Sequence, residues 1–296
     1  MLAVVIGAFL LGWAIKTLRP VSPKLLSMAD KYVLRIALPA VIVSKISTVS
    51  FNSDVTIPIA VAWSVTALAI MSVLVASKVF HWSTSMTGAL LLVGVLGNTS
   101  FLGLGMVESL LGADHLPSAI AYDQVGTFVG LALWGSFVAG TFGVGEKGWK
   151  PVVQRLLRFG PFLALVVSIP LRYVEIPDGV YSMLNGVGKT VAPVAMGALG
   201  LRFTLRVNRS VAVPAVAGLV LKMILLPASV YVVSVLFASP TDMAWSTSIL
   251  QAAAPPMVTA GVVAVGAGLS EDVVAFMVGI GTLVAFVTLP FLSLAL

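Results

Sequence analysis

Long apolar runs separated by short polar stretches follow one another along all 296 residues of the chain. An apolar run of about 20 residues crosses a bilayer as a helix. The pattern therefore predicts an all-α polytopic membrane protein with ten transmembrane spans. We number the spans 1 to 10, and they cover residues 2–18, 29–49, 56–77, 86–111, 116–141, 159–174, 180–201, 210–237, 243–268 and 271–295.

Two of these spans contain residues that interrupt a helix. Residues 97–100 (Gly-Asn-Thr-Ser) fall in span 4, and residues 254–256 (Ala-Pro-Pro) fall in span 9. Non-helical backbone at membrane depth occurs only where protein, water or a ligand binds the freed N–H and C=O groups. Paired breaks of this kind mark the substrate site in many secondary transporters. The two breaks therefore predict a binding site near the bilayer midplane.

The two halves of the chain carry matching landmarks at an offset of about 155 residues. The matched pairs are Arg35 with Lys189, Pro39 with Pro193, Pro58 with Pro214, and residues 126–129 with residues 281–284. Because each half holds five spans, the second copy enters the membrane from the opposite side, as an inverted repeat. We predict a first five-helix repeat at residues 1–141, a cytoplasmic linker at 142–158 and a second repeat at 159–296.

Composition and charge agree with a membrane protein. Hydrophobic residues make up 59% of the chain and charged residues only 9%, which excludes a soluble single-core domain. The net charge of +6 comes from basic residues between the apolar runs. Basic residues in these positions orient the helices in the membrane, so the charge does not indicate nucleic-acid binding. Most of them follow odd-numbered spans, which predicts that both termini lie outside a cytoplasmic membrane. The absence of cysteine excludes disulfides and thiolate metal sites, and no cofactor is expected.

The polar and helix-breaking residues around the two breaks form the candidate substrate site. Their side-chain donors, together with the freed backbone dipoles, can bind an anion or ion. Alternatively, they only satisfy the broken backbone and let the helices pack closely. The candidates are Asn98, Thr99, Ser100, Gln251, Pro255, Pro256, Met257, Val258 and Thr259, with Gly105 and Gly261 as candidate crossover glycines.

Four charged residues stand clear of the predicted span ends, namely Arg35, Asp123, Lys189 and Lys222. A charge at the centre of a bilayer costs at least about 2–3 kcal/mol, so each residue marks a candidate site. If Asp123 and Lys222 face each other, one proton taken up by Asp123 would free Lys222 and couple transport to protons. A fixed structural ion pair is the alternative.

Arg35, Lys189 and a fifth charged residue, Glu108, have a candidate role in attracting anions or transferring protons. Arg35 and Lys189 are repeat-equivalent and could attract a carboxylate into the pore from either side. Long basic side chains also reach the membrane interface without any such role. Glu108 ends span 4 near Asp114 and His115, where it either belongs to a solvated loop edge or takes part in proton transfer.

Four short stretches resemble the bacterial branch of the auxin efflux carrier family, whose plant members are the PIN-type auxin exporters. These stretches are residues 37–39 (Ala-Leu-Pro), 96–104 (Leu-Gly-Asn-Thr-Ser-Phe-Leu-Gly-Leu), 122–123 (Tyr-Asp) and 254–261 (Ala-Pro-Pro-Met-Val-Thr-Ala-Gly). The resemblance implies a scaffold of spans 1, 2, 6 and 7, a transport domain of spans 3–5 and 8–10, elevator-type movement and a homodimer. One departure is Gly105, which stands where many members have a proline.

The resemblance also implies the class of substrate. Members of the family carry organic anions, including dicarboxylates such as malate and malonate, and indole-3-acetate. The wider superfamily includes sodium/proton antiporters, which place an acid and a lysine as Asp123 and Lys222 stand here. Those antiporters often use two adjacent acids, whereas this chain has Asp123-Gln124. Proton coupling or simple uniport is therefore favoured over sodium binding.

The sequence thus predicts a secondary transporter that moves a small organic anion across the cytoplasmic membrane by alternating access, with possible proton coupling. The alternative is a cation/proton antiporter that uses Asp123 and Lys222. A passive channel would differ from such a carrier, because it would conduct without saturation. An enzyme is not expected. Aspartyl proteases of the bilayer need two facing acids, whereas Asp123 is the only acid well inside the predicted spans. The Gly-x-Ser-x-Gly and His-Glu-x-x-His motifs of other hydrolases are absent from the sequence.

Overall fold

The protein is a bundle of helices in a computed structural model, which describes residues 2–18, 21–46, 55–144, 157, 160–171, 173–202 and 208–296. The described residues contain no β-strand, so the all-helical prediction is confirmed for them. The helices of the first half are α1 (Leu2–Leu18), α2 (Pro23–Tyr32), α3 (Leu38–Ile46), α4 (Thr56–Val79), α5 (Thr84–Val93), α6 (Leu104–Leu110) and α7 (Leu116–Phe142). Those of the second half are α8 (Gly160–Leu171), α9 (Asp178–Lys189), α10 (Val191–Arg202), α11 (Arg209–Phe237), α12 (Met243–Ala252), α13 (Val258–Gly266) and α14 (Glu271–Ser293).

Among the described residues, four helices are long and apolar enough to cross a membrane, namely α4, α7, α11 and α14. The helices on either side of the two predicted breaks are much shorter. For example, α5 and α12 have 10 residues each, which is too few for either to span a bilayer alone. The ten-span inverted repeat stays a prediction, and most of the predicted linker at 142–158 lies outside the described residues.

The helices pack in two groups. In the first group, α1 runs along α10, and α3 packs against α8 and α9. In the second group, α4 packs against α7 and α12, while α14 packs against α5, α11 and α13. The groups touch where α10 meets α13 and α14, where α2 meets α13, and where α3 and α8 meet α7. The two broken segments belong to the second group.

Several polar and charged residues lie in π-helical segments, which are rare and often occur at functional sites. Asp123 lies in Tyr122–Phe128, within α7, and Lys222 lies in Leu221–Leu225, within α11. Arg35 lies in Val33–Ala37, which joins α2 to α3. These local departures from α-helix therefore coincide with three of the four charges that the sequence singles out, whereas Lys189 ends α9.

Close backbone contact between α1 and α10 depends on glycine. A Cβ atom placed on Gly200 would lie 2.1 Å from the carbonyl oxygen of Phe9, and one placed on Gly12 would lie 2.3 Å from that of Gly197. Side-chain carbons do not approach backbone oxygen this closely. Small residues thus bring the two helices into direct contact, as is common in membrane proteins.

We expect Gly200→Ala to lower the thermal stability of the purified protein, because the methyl group would force α1 and α10 apart. Overpacking of this kind costs about 1–3 kcal/mol. The matched control is Gly7→Ala on α1, where an added Cβ meets nothing within 4 Å. This control should be neutral or slightly stabilising, since alanine favours a helix by about 1 kcal/mol over glycine. Equal melting temperatures for the two variants would contradict the packing.

Candidate functional site

The first interrupted segment is residues 94–98, between the end of α5 and the π-helical segment Thr99–Gly103 that leads into α6. Asn98 stands at the residue before that segment, and its carbonyl oxygen accepts a hydrogen bond of 2.9 Å from the N–H of Gly103. Thr99 and Ser100 therefore begin the second part of the helix rather than lying in the non-helical stretch.

The second interrupted segment is residues 253–257, between α12 and α13. It lies antiparallel to the first segment, with Gly97 opposite Pro256. The Asn98 N–H donates to the carbonyl oxygen of Pro255 at 2.7 Å, and the Met257 N–H donates to that of Leu96 at 2.9 Å. The two breaks thus satisfy part of each other's freed backbone, deep inside the protein.

Asn98 carries the most informative side chain of this crossing. It is 1% exposed, and neither its Nδ2 nor its Oδ1 has a hydrogen-bond partner among the described residues. Asparagine before a helix usually caps it by accepting a backbone N–H bond, but Asn98 makes no such bond. A buried polar group without a partner costs about 1–3 kcal/mol. The amide is therefore a vacant donor and acceptor at the crossing.

Asp123 is bound to the first broken segment. Its carboxyl group is fully buried, and Oδ1 accepts hydrogen bonds from the Thr99 hydroxyl at 2.7 Å and the Ser100 hydroxyl at 2.5 Å. Hydrogen bonds to an ionised group are about twice as strong as neutral ones. The acid thus ties the π-helical segment of α7 to the start of the helix after the first break.

Lys222 lies against both breaks. The side chain is 2% exposed, and Nζ donates to the carbonyl oxygen of Ala252, the last residue of α12, at 2.6 Å. A Cβ atom placed on Gly97 would lie 3.1 Å from Nζ, so the absence of a side chain there leaves room for the ammonium group. The lysine therefore places a hydrogen-bond donor at the crossing.

A small cavity lies beside Lys222. It has a volume of about 10 Å³, enough for roughly one water molecule and too small for an organic acid. Its lining is formed by residues of α4, α7, α11, α12 and the first break. The lining residues are Ala62, Val65, Thr66, Val95, Leu96, Gly97, Thr99, Tyr122, Thr127, Lys222 and Gln251.

Gln251 connects α12 to the first half of the chain. Its Nε2 donates to the carbonyl oxygen of Ala119 at 3.2 Å and lies 3.5 Å from that of Thr99. Its Oε1 has no partner among the described residues. A Cβ atom on Gly103 would lie 2.1 Å from Oε1, so glycine at this position makes room for the amide.

The remaining candidates of the second break are buried. Met257, Val258 and Thr259 are each at most 1% exposed, and Val258 is the first residue of α13. The Thr259 hydroxyl has no hydrogen-bond partner among the described residues. The non-helical stretches do not include the two candidate crossover glycines, because Gly105 lies inside α6 and Gly261 inside α13.

Three predicted charged residues lie elsewhere. Arg35, Lys189 and Glu108 are exposed, and none of them lines the cavity. The segment that carries Arg35 does pack against α13. Near Lys189, the Tyr32 hydroxyl and the Thr190 hydroxyl are hydrogen bonded at 2.7 Å, which joins α2 to the point where α9 meets α10.

Sequence reasoning missed Gly103, Tyr122 and Thr127 as parts of this site. The signal for Thr127 was present, because Gly126-Thr127 is one of the repeat landmarks and matches Gly281-Thr282. Tyr122 adjoins Asp123, and Gly103 lies in the same stretch as Asn98. Each is recognisable only once the helices that surround the break are known.

The chemistry of this site suits binding and proton exchange. It brings together one vacant amide, one ammonium group and one carboxyl group in a water-poor interior, where electrostatic interactions are strong. Within the described residues, His, Asp and Glu side chains form no group of three or more that could hold a metal ion.

A helical protein with several bilayer-length apolar helices and a polar site at paired helix breaks is, by class, a membrane transporter. The sequence model of the family described as membrane transport protein matches residues 1–139 and 149–293. The chain therefore belongs to this family, that of the auxin efflux carriers, as its motifs predict. The family is one of transporters rather than enzymes.

Two similar proteins come from methanogenic archaea, and both are described as uncharacterized transporters. One, from Methanothermobacter thermautotrophicus, is 25% identical over 293 residues, which cover 97% of this chain and 94% of the relative. The other, from Methanocaldococcus jannaschii, is 28% identical over 181 residues, which cover 58% of each chain. The similarity to the first relative thus extends over both broken segments.

We expect Thr99→Val to destabilise the protein by about 1.5–3 kcal/mol, because it removes a hydrogen bond to the buried Asp123 carboxyl group. The matched control is Thr282→Val. Thr282 is equally buried, but its hydroxyl has no partner among the described residues, so its loss should be neutral or stabilising. Thermal unfolding in detergent measures both. Equal losses would show that the Thr99 hydroxyl does not support Asp123.

Proposed function

We propose that the protein is a secondary transporter that carries a small organic anion, such as a carboxylate or an auxin-like acid, across the cytoplasmic membrane. The vacant Asn98 amide is the observation that carries this proposal. It lies at the crossing of the two breaks, is buried, and neither caps a helix nor bonds to a described residue. A ligand with hydrogen-bonding oxygens would recover the free energy that this unpaired group costs.

Lys222 and a helix N-terminus at the crossing favour an anion over a cation as the substrate, because the Asp123 carboxyl group is already bound by Thr99 and Ser100. The Lys222 ammonium group lies beside Gly97, next to Asn98. The start of α13 also faces the break, and a helix N-terminus carries a partial positive charge. Asn98, Thr259 and Lys222 are thus the proposed contacts of the substrate, with Thr99, Ser100 and Gln251 holding the break in place.

A substrate can reach this site only if the helices move. A cavity of about 10 Å³ cannot hold an organic acid, so the arrangement corresponds to a closed site. We propose that the second helix group (α4–α7 and α11–α14) moves as the transport domain against a scaffold of α1–α3 and α8–α10. The packing of the helices in two groups supports this elevator-type mechanism. A homodimer joined through the scaffold, with both termini outside, completes the proposal.

Proton coupling through Asp123 is part of the proposal. Its carboxyl group holds the first break through Thr99 and Ser100, so protonation would weaken the bonds that fix that break. The buried acid and the buried lysine also support the alternative of a cation/proton antiporter. The two functions differ in whether an organic anion is needed for proton-linked exchange.

We expect at least one small carboxylate or indole acid to raise the melting temperature of the purified protein, and Asn98→Ala to weaken its binding about tenfold, or by about 1.4 kcal/mol. A thermal-shift titration with malate, malonate and indole-3-acetate measures this. Asn208→Ala, on an exposed residue before α11, is the matched control and should bind as the wild type does. If no acid stabilises the protein, or if Asn98→Ala binds normally, the anion site is wrong.

We expect Asp123→Asn to abolish the effect of a pH gradient on anion uptake into proteoliposomes, because the amide cannot take up a proton. The same variant should still bind the anion in the thermal-shift assay. Proton-linked cation exchange without any organic anion, lost in Asp123→Asn, would instead favour the antiporter. A gradient response that persists in the variant would remove Asp123 from the coupling mechanism.

A further inference from the structure

His115 lies where the chain passes from α6 into α7, and it differs from the solvated loop edge that the sequence suggested. Its ring is half-buried, and Nδ1 is 2.8 Å from the Thr247 hydroxyl and 3.5 Å from the Ser246 hydroxyl, both on α12. Thr247 is fully buried, whereas Asp114, the residue before the histidine, is exposed. The imidazole thus joins the surface of the protein to the interior along α12.

We propose that His115 is the entry point of a proton path that follows α12 to Asp123. This proposal rests on the proposed proton coupling at Asp123. Histidine is the side chain whose charge changes near neutral pH, so it can exchange protons with the solution and with a hydroxyl group. In this path the Thr247 hydroxyl receives a hydrogen bond from the protonated ring and donates its own proton inward.

The next polar group on this face of α12 is Gln251, one helical turn from Thr247. Residues four apart on a helix have Cβ atoms about 5–6 Å apart, a gap that one bridging water closes. Gln251 lines the same cavity as Thr99, whose hydroxyl donates to Asp123 at 2.7 Å, so the amide can orient a water molecule in the path without carrying the proton itself. The polar groups therefore lead from the surface to the buried acid without a break longer than one turn.

The inner end of this path coincides with the small cavity beside Lys222. Gln251 and Thr99 both line it, and its volume of about 10 Å³ suits one water molecule. The Gln251 Oε1 atom is an acceptor without a partner among the described residues. A water molecule held at this position by Gln251 would pass a proton to the Thr99 hydroxyl, which would donate its own proton to the Asp123 carboxylate.

The titratable side chains on the elements around His115 are acids. The turn that carries it packs against α6, α7 and α12. The titratable groups on these elements near the histidine are Glu108 on α6, Asp242 just before α12 and the adjacent Asp114, all of them exposed acids. The first turn of α7 and the whole of α12 contain no titratable residue.

The test measures how fast Asp123 takes up a proton, with no substrate present. The full-length protein in lipid nanodiscs is shifted from about pH 8 to about pH 5, across the histidine range. Infrared spectroscopy then follows the protonated carboxyl band that disappears in Asp123→Asn. We expect His115→Gln and Thr247→Val each to slow the appearance of this band at least about tenfold, because a positioned relay group contributes that much or more.

The chain provides matched controls. It contains two histidines, and His81 lies in the exposed turn after α4, so His81→Gln should react as fast as the wild type. Thr288→Val, on an exposed residue of α14, controls for Thr247→Val. An unchanged rate in His115→Gln, or equal slowing in His81→Gln, would overturn the path. Anion binding and transport are measured separately, so loss of the anion site would leave this result intact.

Discussion

The structure depends on two backbone hydrogen bonds that join the broken helices, from Asn98 to Pro255 and from Met257 to Leu96. In hydrocarbon, each unsatisfied backbone group costs several kcal/mol, so an isolated break would be expelled or would return to helix. The two prolines also reduce the number of backbone groups that need a partner, because neither has an N–H group. Each break therefore supplies the partners that the other needs, and the local bends of α7 and α11 place polar side chains around this pairing.

The two buried titratable residues bind the two helix ends that meet beside that pairing. Asp123 binds the hydroxyl groups of Thr99 and Ser100, at the start of the helix after the first break. Lys222 binds the carbonyl oxygen of Ala252, at the end of the helix before the second break. A change of charge or position at either residue thus alters the geometry of the crossing directly. The groups proposed for binding and coupling lie at the same crossing, so they can influence each other without a long pathway.

The sequence was sufficient for features that follow from composition and local chemistry. Apolar runs predicted an all-helical membrane protein, and Gly, Asn and Pro in two of the runs marked segments 94–98 and 253–257 to within a few residues. The sequence was insufficient for features that depend on how distant helices pack together. The exposure of Arg35 and Glu108 depends on neighbouring helices, as does the π-helical geometry around Asp123. His115 illustrates the same limit, because its partner Thr247 is 132 residues away in the chain.

Asn98 is the basis for proposing that the first break binds a ligand. An asparagine kept only to end a helix would use its side chain as a cap, as Ser83 does for the Met86 N–H at the start of α5. Asn98 occupies the equivalent position before Thr99–Gly103 and leaves both amide atoms vacant, while its backbone N–H already bonds to Pro255. The backbone of the crossing is therefore satisfied without this side chain. An unpaired buried amide costs stability, and such a cost is retained at functional sites, where a ligand offsets it on binding.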